Sequence, residues 1–265
     1  MTDLAIETDG LTKQFDDELA VEDLTLQVPE GSIYGFLGPN GAGKTTTMRL
    51  LTSLTAPTSG TATVADVPVA DRPALAPKIG YLPTDPPVFE ELTGREQLHH
   101  VARLHGLDDE TRTERVRDHL ERFDLQSAAD RRVASYSTGM RKKLGLIGAV
   151  LHDPDVVLFD EPTSGLDPRA ARTVRDTVAE MTTRDVTVFL STHILDVVEE
   201  LADSVGVIDD GVLVAEGSPE ELKARKEDGA HGDLEDVFLQ VTGDADERTA
   251  RSDREVATAG SEDVR

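Results

Sequence analysis

The sequence predicts an α/β fold with a mixed sheet core, an antiparallel β lobe at its start and a helical subdomain. Three observations lead to this prediction. Residues 4–28 alternate apolar and polar side chains, as half-buried antiparallel strands do. Apolar, β-branched runs at 156–159 and 186–190 each precede a helical pattern, which is typical of buried parallel strands. Between these regions, residues 92–123 combine helical periodicity with high charge.

The elements are predicted in chain order. The opening strands are interrupted by turn signals at Asp9-Gly10 and Asp16-Asp17. Further strands are predicted at 32–37, 61–69, 79–82, 156–159, 186–190, 205–208 and 212–214, and helices at 45–54, 92–123, 140–151, 219–226 and 234–241. We expect one domain over 1–243, with the helical subdomain at about 88–152. Apolar residues almost vanish after Gly243, which predicts a disordered acidic tail at 244–265.

Composition excludes several classes of protein. The 265 residues carry 27 basic and 52 acidic side chains, a formal net charge of −25. A general nucleic-acid binder needs a basic surface, so no nucleic-acid partner is expected. Without cysteine there are no disulfides or thiolate metal sites. No run approaches 18 apolar residues and no secretory signal opens the chain, so a cytoplasmic location is expected.

The acidic residues are spread along the chain, and only seven of the 27 basic residues are lysines. A dispersed, lysine-poor acidic surface suits a protein that stays soluble in concentrated salt, where screening removes its self-repulsion. We therefore expect a protein from a halophile; an ordinary acidic cytosolic protein is the alternative.

One segment matches the phosphate-binding pattern G-x-x-x-x-G-K-[ST] at every fixed position. It lies between a predicted strand and a predicted helix, as the pattern requires. Glycines let backbone N–H groups converge on phosphate oxygens, a lysine adds a positive charge, and a threonine hydroxyl can bind Mg²⁺. The segment is Gly38-Pro39-Asn40-Gly41-Ala42-Gly43-Lys44-Thr45, followed by Thr46. It predicts a P-loop protein that binds a nucleoside triphosphate.

Two carboxylates end the apolar run at 156–159. In P-loop proteins a carboxylate at this position holds Mg²⁺ through water, which assigns Asp160 to the metal. Side chains alternate along a strand, so Glu161 is free to face the attacking water. We therefore predict Glu161 as the general base, a role worth about 10²–10⁴-fold in rate.

With these motifs, the chain over residues 4 to about 242 resembles the ATP-binding subunits of ABC transporters. Six elements occur in the family's order, two of which are the phosphate loop and the magnesium strand. Tyr136-Ser137-Thr138-Gly139-Met140 is similar to the family's LSGGQ signature, and Ser164-Gly165-Leu166-Asp167 resembles its dimer-communication loop. Ser191-Thr192-His193 resembles the switch-histidine segment, and Phe15 matches the aromatic that stacks on adenine.

The resemblance implies an ABC-type ATPase that uses ATP and Mg²⁺. His193 would contact the γ-phosphate, and Ser137, Thr138, Gly139 and Asp167 would act across an ATP-dependent homodimer or paralogous heterodimer. A separate multispanning membrane permease would be the partner, holding the protein on the inner face of the cell membrane. Residues 80–96 and 234–239 look like the drug- and ion-efflux branch, which favours export. The transported substrate binds the permease and cannot be deduced from this chain.

The chain departs from the family's pattern in two segments. Thr138 and Met140 stand where the signature usually has Gly and Gln, which alters side-chain contacts and keeps Ser137 and Gly139. Thr84 stands where the family places a Gln or Glu that helps hold Mg²⁺. Thr84 would reach the metal through water, or the adjacent Asp85 would substitute for it.

Two other functions compete with transport. A soluble, non-transport ABC ATPase usually has two cassettes or coiled-coil insertions, and a small regulatory nucleotide switch needs no signature segment. Arg141-Lys142-Lys143 is interpreted as the polar face of the signature helix, with a basic patch as the alternative.

Overall fold

The computed structural model of the chain describes residues 3–224, 234–240 and 242. The disordered tail expected at 244–265 lies outside the described residues. The described residues form two sheets, a four-stranded antiparallel sheet and a six-stranded, mostly parallel sheet.

The small sheet has strand order β2-β1-β4-β5 and is antiparallel throughout. Its strands are β1 (Leu4–Phe15), β2 (Glu18–Pro29), β4 (Ser59–Val64) and β5 (Val67–Pro68). The turn expected at Asp9-Gly10 is a register shift inside β1. The strand expected at 61–69 is divided, because Ala65 and Asp66 adopt positive φ angles of 49° and 61° and form a turn.

The larger sheet has the order β10-β9-β3-β8-β7-β6, and only β10 runs antiparallel to its neighbour. Its strands are β3 (Ile33–Leu37), β6 (Ile79–Leu82), β7 (Val156–Asp160), β8 (Thr187–Thr192), β9 (Ser204–Asp209) and β10 (Val212–Gly217). The mixed sheet and the antiparallel lobe predicted from the sequence are therefore confirmed. The carboxyl ends of the parallel strands share one edge, where open α/β folds bind their ligands.

Helices cover both faces of the larger sheet. They are α1 (Lys44–Leu51), α2 (Arg72–Leu75), α3 (Gly94–Leu104), α4 (Asp109–Arg122), α5 (Thr138–Val150), α6 (Pro168–Thr182), α7 (Leu195–Leu201), α8 (Pro219–Ala224) and α9 (234–240). The helix expected at 92–123 is two helices, because Gly106 has a φ of 76° and Asp108 caps a new start. The subdomain limits at 88–152 stay a prediction. Among the residues described, no helix has the length and apolar character needed to cross a membrane.

Strand alternation divides the core between the two faces. Val157 and Phe159 of β7 pack with α5 and α6, whereas Val156 and Leu158 pack with α1 and the antiparallel sheet. Each such buried aliphatic or aromatic side chain contributes about 1.5–3 kcal/mol. The same alternation turns the next residue, Asp160, toward α1.

Candidate active site

The loop between β3 and α1 lines a cavity of about 330 Å³. Two of its glycines are required by close packing. A Cβ at Gly38 would lie 2.3 Å from the carbonyl oxygen of Ile208, and one at Gly43 would lie 2.5 Å from that of Ala20. Gly43 also has a φ of 105°, which side chains disfavour. The loop therefore delivers the N-terminal end of α1 to the cavity, where its free N–H groups favour an anion.

Lys44 is buried at the base of this loop. Its Nζ donates to the carbonyl oxygens of Gly38 at 2.7 Å and Pro39 at 2.9 Å, and lies 3.8 Å from Oε1 of Glu161. Burial lowers the pKa of Lys44, and the charges of Glu161 and Asp160 oppose that shift. The loop thus holds a positive charge within a cavity that has two carboxylates.

Asp160 accepts hydrogen bonds from three hydroxyl groups. Oδ2 receives Thr45 Oγ1 at 2.8 Å and Thr84 Oγ1 at 3.1 Å, while Oδ1 receives Ser191 Oγ at 2.5 Å. These side chains come from α1, the segment after β6, and β8. Carboxylate and hydroxyl oxygens are the hard ligands that Mg²⁺ prefers, so this set of residues fits the ion. Thr84, and not Asp85, lines the cavity.

Glu161 follows Asp160 in a left-handed backbone conformation, with a φ of 52°. Its Oε1 lies 2.9 Å from Nδ1 of His193, and its Oε2 accepts from Thr192 at 3.4 Å. The turn out of the strand therefore aims the carboxylate into the cavity, between Lys44 and His193. A carboxylate held this way is able to accept a proton from a water in the cavity.

The cavity wall continues through other parts of the chain. Asn40, Gly41 and Thr46 line it from the loop, and Glu18 lines it from the start of β2. Phe15, which pairs with Glu18 across the hairpin, has 44% of its surface exposed and a Lys13 Nζ 4.7 Å from its ring centre. The ring is thus partly exposed, in the hairpin whose Glu18 lines the cavity.

The remaining predicted residues do not line this cavity. Ser137 precedes α5, and its hydroxyl accepts from the Met140 N–H at 3.3 Å, with Thr138 and Gly139 in the first turn. Asp167 caps α6 by accepting from Arg169 and Ala170, and these backbone bonds lower the pKa of its carboxyl. The structure thus brings together Lys44, Thr45, Thr84, Asp160, Glu161 and His193, and leaves the signature segment apart.

Sequence reasoning missed two residues of the site. Ser191 was noted only as part of its segment, although its position in a strand beside β7 could have indicated contact with Asp160. The expectation that Lys142 lies on the polar face of the signature helix is wrong, because its side chain is buried. Its Nζ donates to the carbonyl oxygens of Glu161 and Ser164, which compensate for the burial of its charge. Its neighbours differ, since Arg141 pairs with Glu90 and Lys143 donates to Phe123.

A glycine loop that holds a lysine, opposite two carboxylates at the carboxyl edge of a parallel sheet, defines a P-loop nucleoside triphosphatase. The sequence profile of the ABC transporter family matches residues 21–164. The chain belongs to the ATP-binding subunits of the ABC transporter family, and it is an ATPase.

Known proteins similar to this chain agree with that family. It is 42% identical over 245 residues to the daunorubicin resistance ATP-binding protein DrrA3 of Streptomyces coeruleorubidus, across 92% of this chain and 76% of the relative. It is 39% identical over 223 residues to Nod factor export ATP-binding protein I of Rhizobium sp. strain N33, across 84% and 73%. A solved ATP-binding subunit of an ABC transporter superposes with a TM-score of 0.83 at 29% identity, across 91% and 100%.

Proposed function

We propose that this chain hydrolyses ATP to drive export through a separate, multispanning membrane permease. The names of its relatives support export, since they describe drug resistance and Nod factor export. Because ATP is supplied in the cytoplasm, the protein would work on the cytoplasmic face of the membrane, held there by the permease. The transported substrate would be recognised by the permease.

In this proposal Glu161 is the general base, and its contact with His193 at 2.9 Å supports the assignment. This contact is the observation that carries the hydrolytic proposal. His193 orients the carboxylate and reaches the γ-phosphate. Lys44 binds the outer phosphates, and Phe15 stacks on the adenine ring, an interaction worth about 1–3 kcal/mol.

Mg²⁺ is the proposed metal, and Thr45, Asp160 and Thr84 would hold it, directly or through water. When bound, Mg²⁺ neutralises charge on the phosphates. The three hydroxyls around Asp160 fix the orientation of its carboxylate, which supports this role.

We further propose an ATP-dependent dimer, either of two copies or of this chain with a paralogue. Ser137, Thr138 and Gly139 lie at the N-terminus of the 13-residue helix α5 and outside the cavity of their own chain. They would bind the phosphate held by the other subunit, and Asp167 would lie near the same interface. This arrangement makes ATP part of the contact between subunits.

The decisive test of the catalytic assignment is the Glu161→Gln variant, which keeps the size of the side chain and removes the base. Hydrolysis should fall by about 10²-fold or more while ATP still binds. The uncleaved nucleotide should then hold two chains together, which size-exclusion chromatography with light scattering measures with and without Mg-ATP. Lys44→Ala is the control, and it should lose ATP and stay monomeric.

The two parts of this proposal fail separately. Hydrolysis by Glu161→Gln at the parental rate would show that Glu161 is not the base. Loss of hydrolysis without an ATP-dependent dimer would support Glu161 as the base and contradict the proposed phosphate site at Ser137 that two subunits share.

A soluble, non-transport ABC ATPase is the alternative, and co-expression with the permease distinguishes the two. A transport subunit should sediment with membranes and be recovered with the multispanning protein. Recovery only from the soluble fraction, at native salt with the permease present, would remove the transport proposal.

A further inference from the structure

Lys142 connects α5 with the loop that follows β7. It lies in the second turn of the helix and retains 5% of its surface exposure. Its Nζ donates to the carbonyl oxygen of Glu161 at 2.7 Å and to that of Ser164 at 2.5 Å. One ammonium group therefore holds both ends of the four-residue turn that begins with Glu161.

Burying an ammonium group is costly unless hydrogen bonds and opposite charges compensate. Burial lowers the pKa of Lys142, while the charges of Glu161, Asp85 and Asp160 act in the opposite direction. A shorter or apolar side chain would leave the two carbonyl oxygens without this donor. The two hydrogen bonds from this buried ammonium group therefore hold the turn at 161–164 in one conformation.

The backbone of Glu161 shows what is being held. Its φ of 52° is unfavourable for a residue with a side chain, and such conformations persist only where the surroundings fix them. Its N–H donates to the carbonyl oxygen of Ser191 at 3.1 Å, and its own carbonyl accepts from Lys142. Both sides of the strained residue are thus anchored, one to β8 and one to α5.

We propose that Lys142 is a positioning residue for Glu161: by fixing the carbonyl of this residue, it aims the carboxylate at the cavity. This inference rests on the proposed role of Glu161 as the base. Among the described residues, Lys142 makes no hydrogen bond to His193 or to the carboxylate oxygens of Glu161. Its hydrogen bond reaches Glu161 through the backbone, and its charge also attracts the carboxylate. It also ties the helix that begins after Ser137 to the loop that carries the base.

The test compares Lys142→Met with Lys143→Met. Methionine keeps length and apolar volume and removes the charge. Lys143 is the matched control, because it is the next residue of α5 and its Nζ donates to the carbonyl oxygen of Phe123, at the end of α4, instead of to the turn at 161–164. A misplacement of about 1 Å costs about 10²-fold in rate, so kcat of Lys142→Met should fall by about 10²-fold. KM for ATP should stay within about 3-fold of the parent, since the phosphate loop is intact. Lys142→Arg, which restores a charged donor, should recover most of kcat.

A purely structural role would change the urea midpoint and the number of active sites, which nucleotide titration counts, and would leave kcat per site unchanged. If Lys142→Met does not fold, Lys142→Gln is compared with Lys143→Gln, with a smaller loss of kcat expected from the amide donor. Normal kcat per active site in the folded Lys142 variant would overturn the proposal.

A double-mutant cycle with Glu161→Gln, measured in single turnovers, separates this inference from the function on which it rests. If Lys142 acts through Glu161, Lys142→Met should cause little further loss once the base is gone. An equal further loss in the double variant would overturn the positioning role. A parental rate in Glu161→Gln alone would instead remove the proposed base, whatever Lys142→Met does.

Discussion

Asp160 owes its orientation to hydroxyl groups that are far apart in sequence. Thr45, Thr84 and Ser191 all donate to it, within 2.5–3.1 Å. Hydrogen bonds to a charged group contribute about 1.5–3 kcal/mol each, so these residues fix the carboxylate more firmly than β7 alone would. Thr84, one of the two alternatives that the sequence left for this position, is the one that donates to Asp160.

Thr84→Val should weaken the proposed Mg²⁺ site, because it preserves shape and removes one hydroxyl from Asp160. We expect the Mg²⁺ concentration for half-maximal ATPase activity to rise by about 10–150-fold, the equivalent of one such hydrogen bond. Titration of activity with Mg²⁺ at saturating ATP measures it. Asp85→Asn is the comparison variant, since Asp85 does not line the cavity and its charge acts on Lys142. A larger rise in Asp85→Asn than in Thr84→Val would assign the position to Asp85.

At the scale of elements, helix α5 is anchored at both ends. Ser137 caps its start, and just beyond its end the ring of His152 stacks on that of His105, with ring centres 3.6 Å apart. Nε2 of His152 lies 3.0 Å from the carbonyl oxygen of Ile79, which fits the neutral ring with its proton on Nε2. The helix is therefore joined to α3 and β6 through a neutral histidine.

The stability of this junction should depend on pH. Burial, together with His105 and Arg115, lowers the pKa of His152 from 6.5 to about 4, while the Ile79 carbonyl and Asp153 oppose the shift. Between pH 6.5 and about pH 4, His152 binds a proton in the unfolded chain and not in the folded chain. The contribution of neutral His152 to the free energy of unfolding is therefore fully present above pH 6.5 and is lost progressively toward pH 4. The loss from His152 should be about 1–2 kcal/mol after discounting for solvent screening.

Urea unfolding of the parent and of His152→Gln, from pH 7 to pH 4.5, measures this loss. The difference between the two curves isolates the histidine from the carboxylates that titrate in the same range. A pH dependence equal in both proteins would contradict the assignment.

At the scale of the whole molecule, charge repulsion opposes folding. The net charge of −25 arises from 52 acidic and 27 basic side chains. Many described ion pairs are exposed, such as Lys78 with Asp155, and such pairs contribute only about 0–1 kcal/mol. Local pairing of this kind therefore offsets little of the repulsion that a net charge of −25 spreads over the surface.

Added salt should stabilise this protein. The Debye screening length shortens from about 10 Å at 0.1 M salt to about 3 Å at 1 M, which removes long-range repulsion between surface charges. We expect the urea midpoint and the ATPase activity to increase from 0.1 M toward molar KCl. Sucrose at equal osmolality is the control for general exclusion effects. Equal or greater stability at low salt would contradict the expectation of a salt-adapted surface.

Local sequence patterns predicted many of the strands and the phosphate loop of this protein. The phosphate loop is one continuous segment, Gly38 to Thr45, whose glycines and lysine have their roles within a strand–loop–helix unit, so spacing alone predicts it. The buried strands β7 and β8 were visible as apolar runs for the same reason. The order of six motifs also indicated the family, which the family profile and the relatives confirm.

Contacts between distant segments were decided by tertiary structure. Ser191 reaches Asp160 because β7 and β8 are neighbours in the sheet, and strand order is not encoded in either segment alone. The sequence predicted Lys142 as a surface residue because charged side chains are rarely buried without partners. Its partners are the backbone carbonyl oxygens of Glu161 and Ser164, which come within reach only when the loop after β7 folds over α5. Sequence periodicity records which face of an element is apolar, whereas a buried polar contact depends on which elements meet.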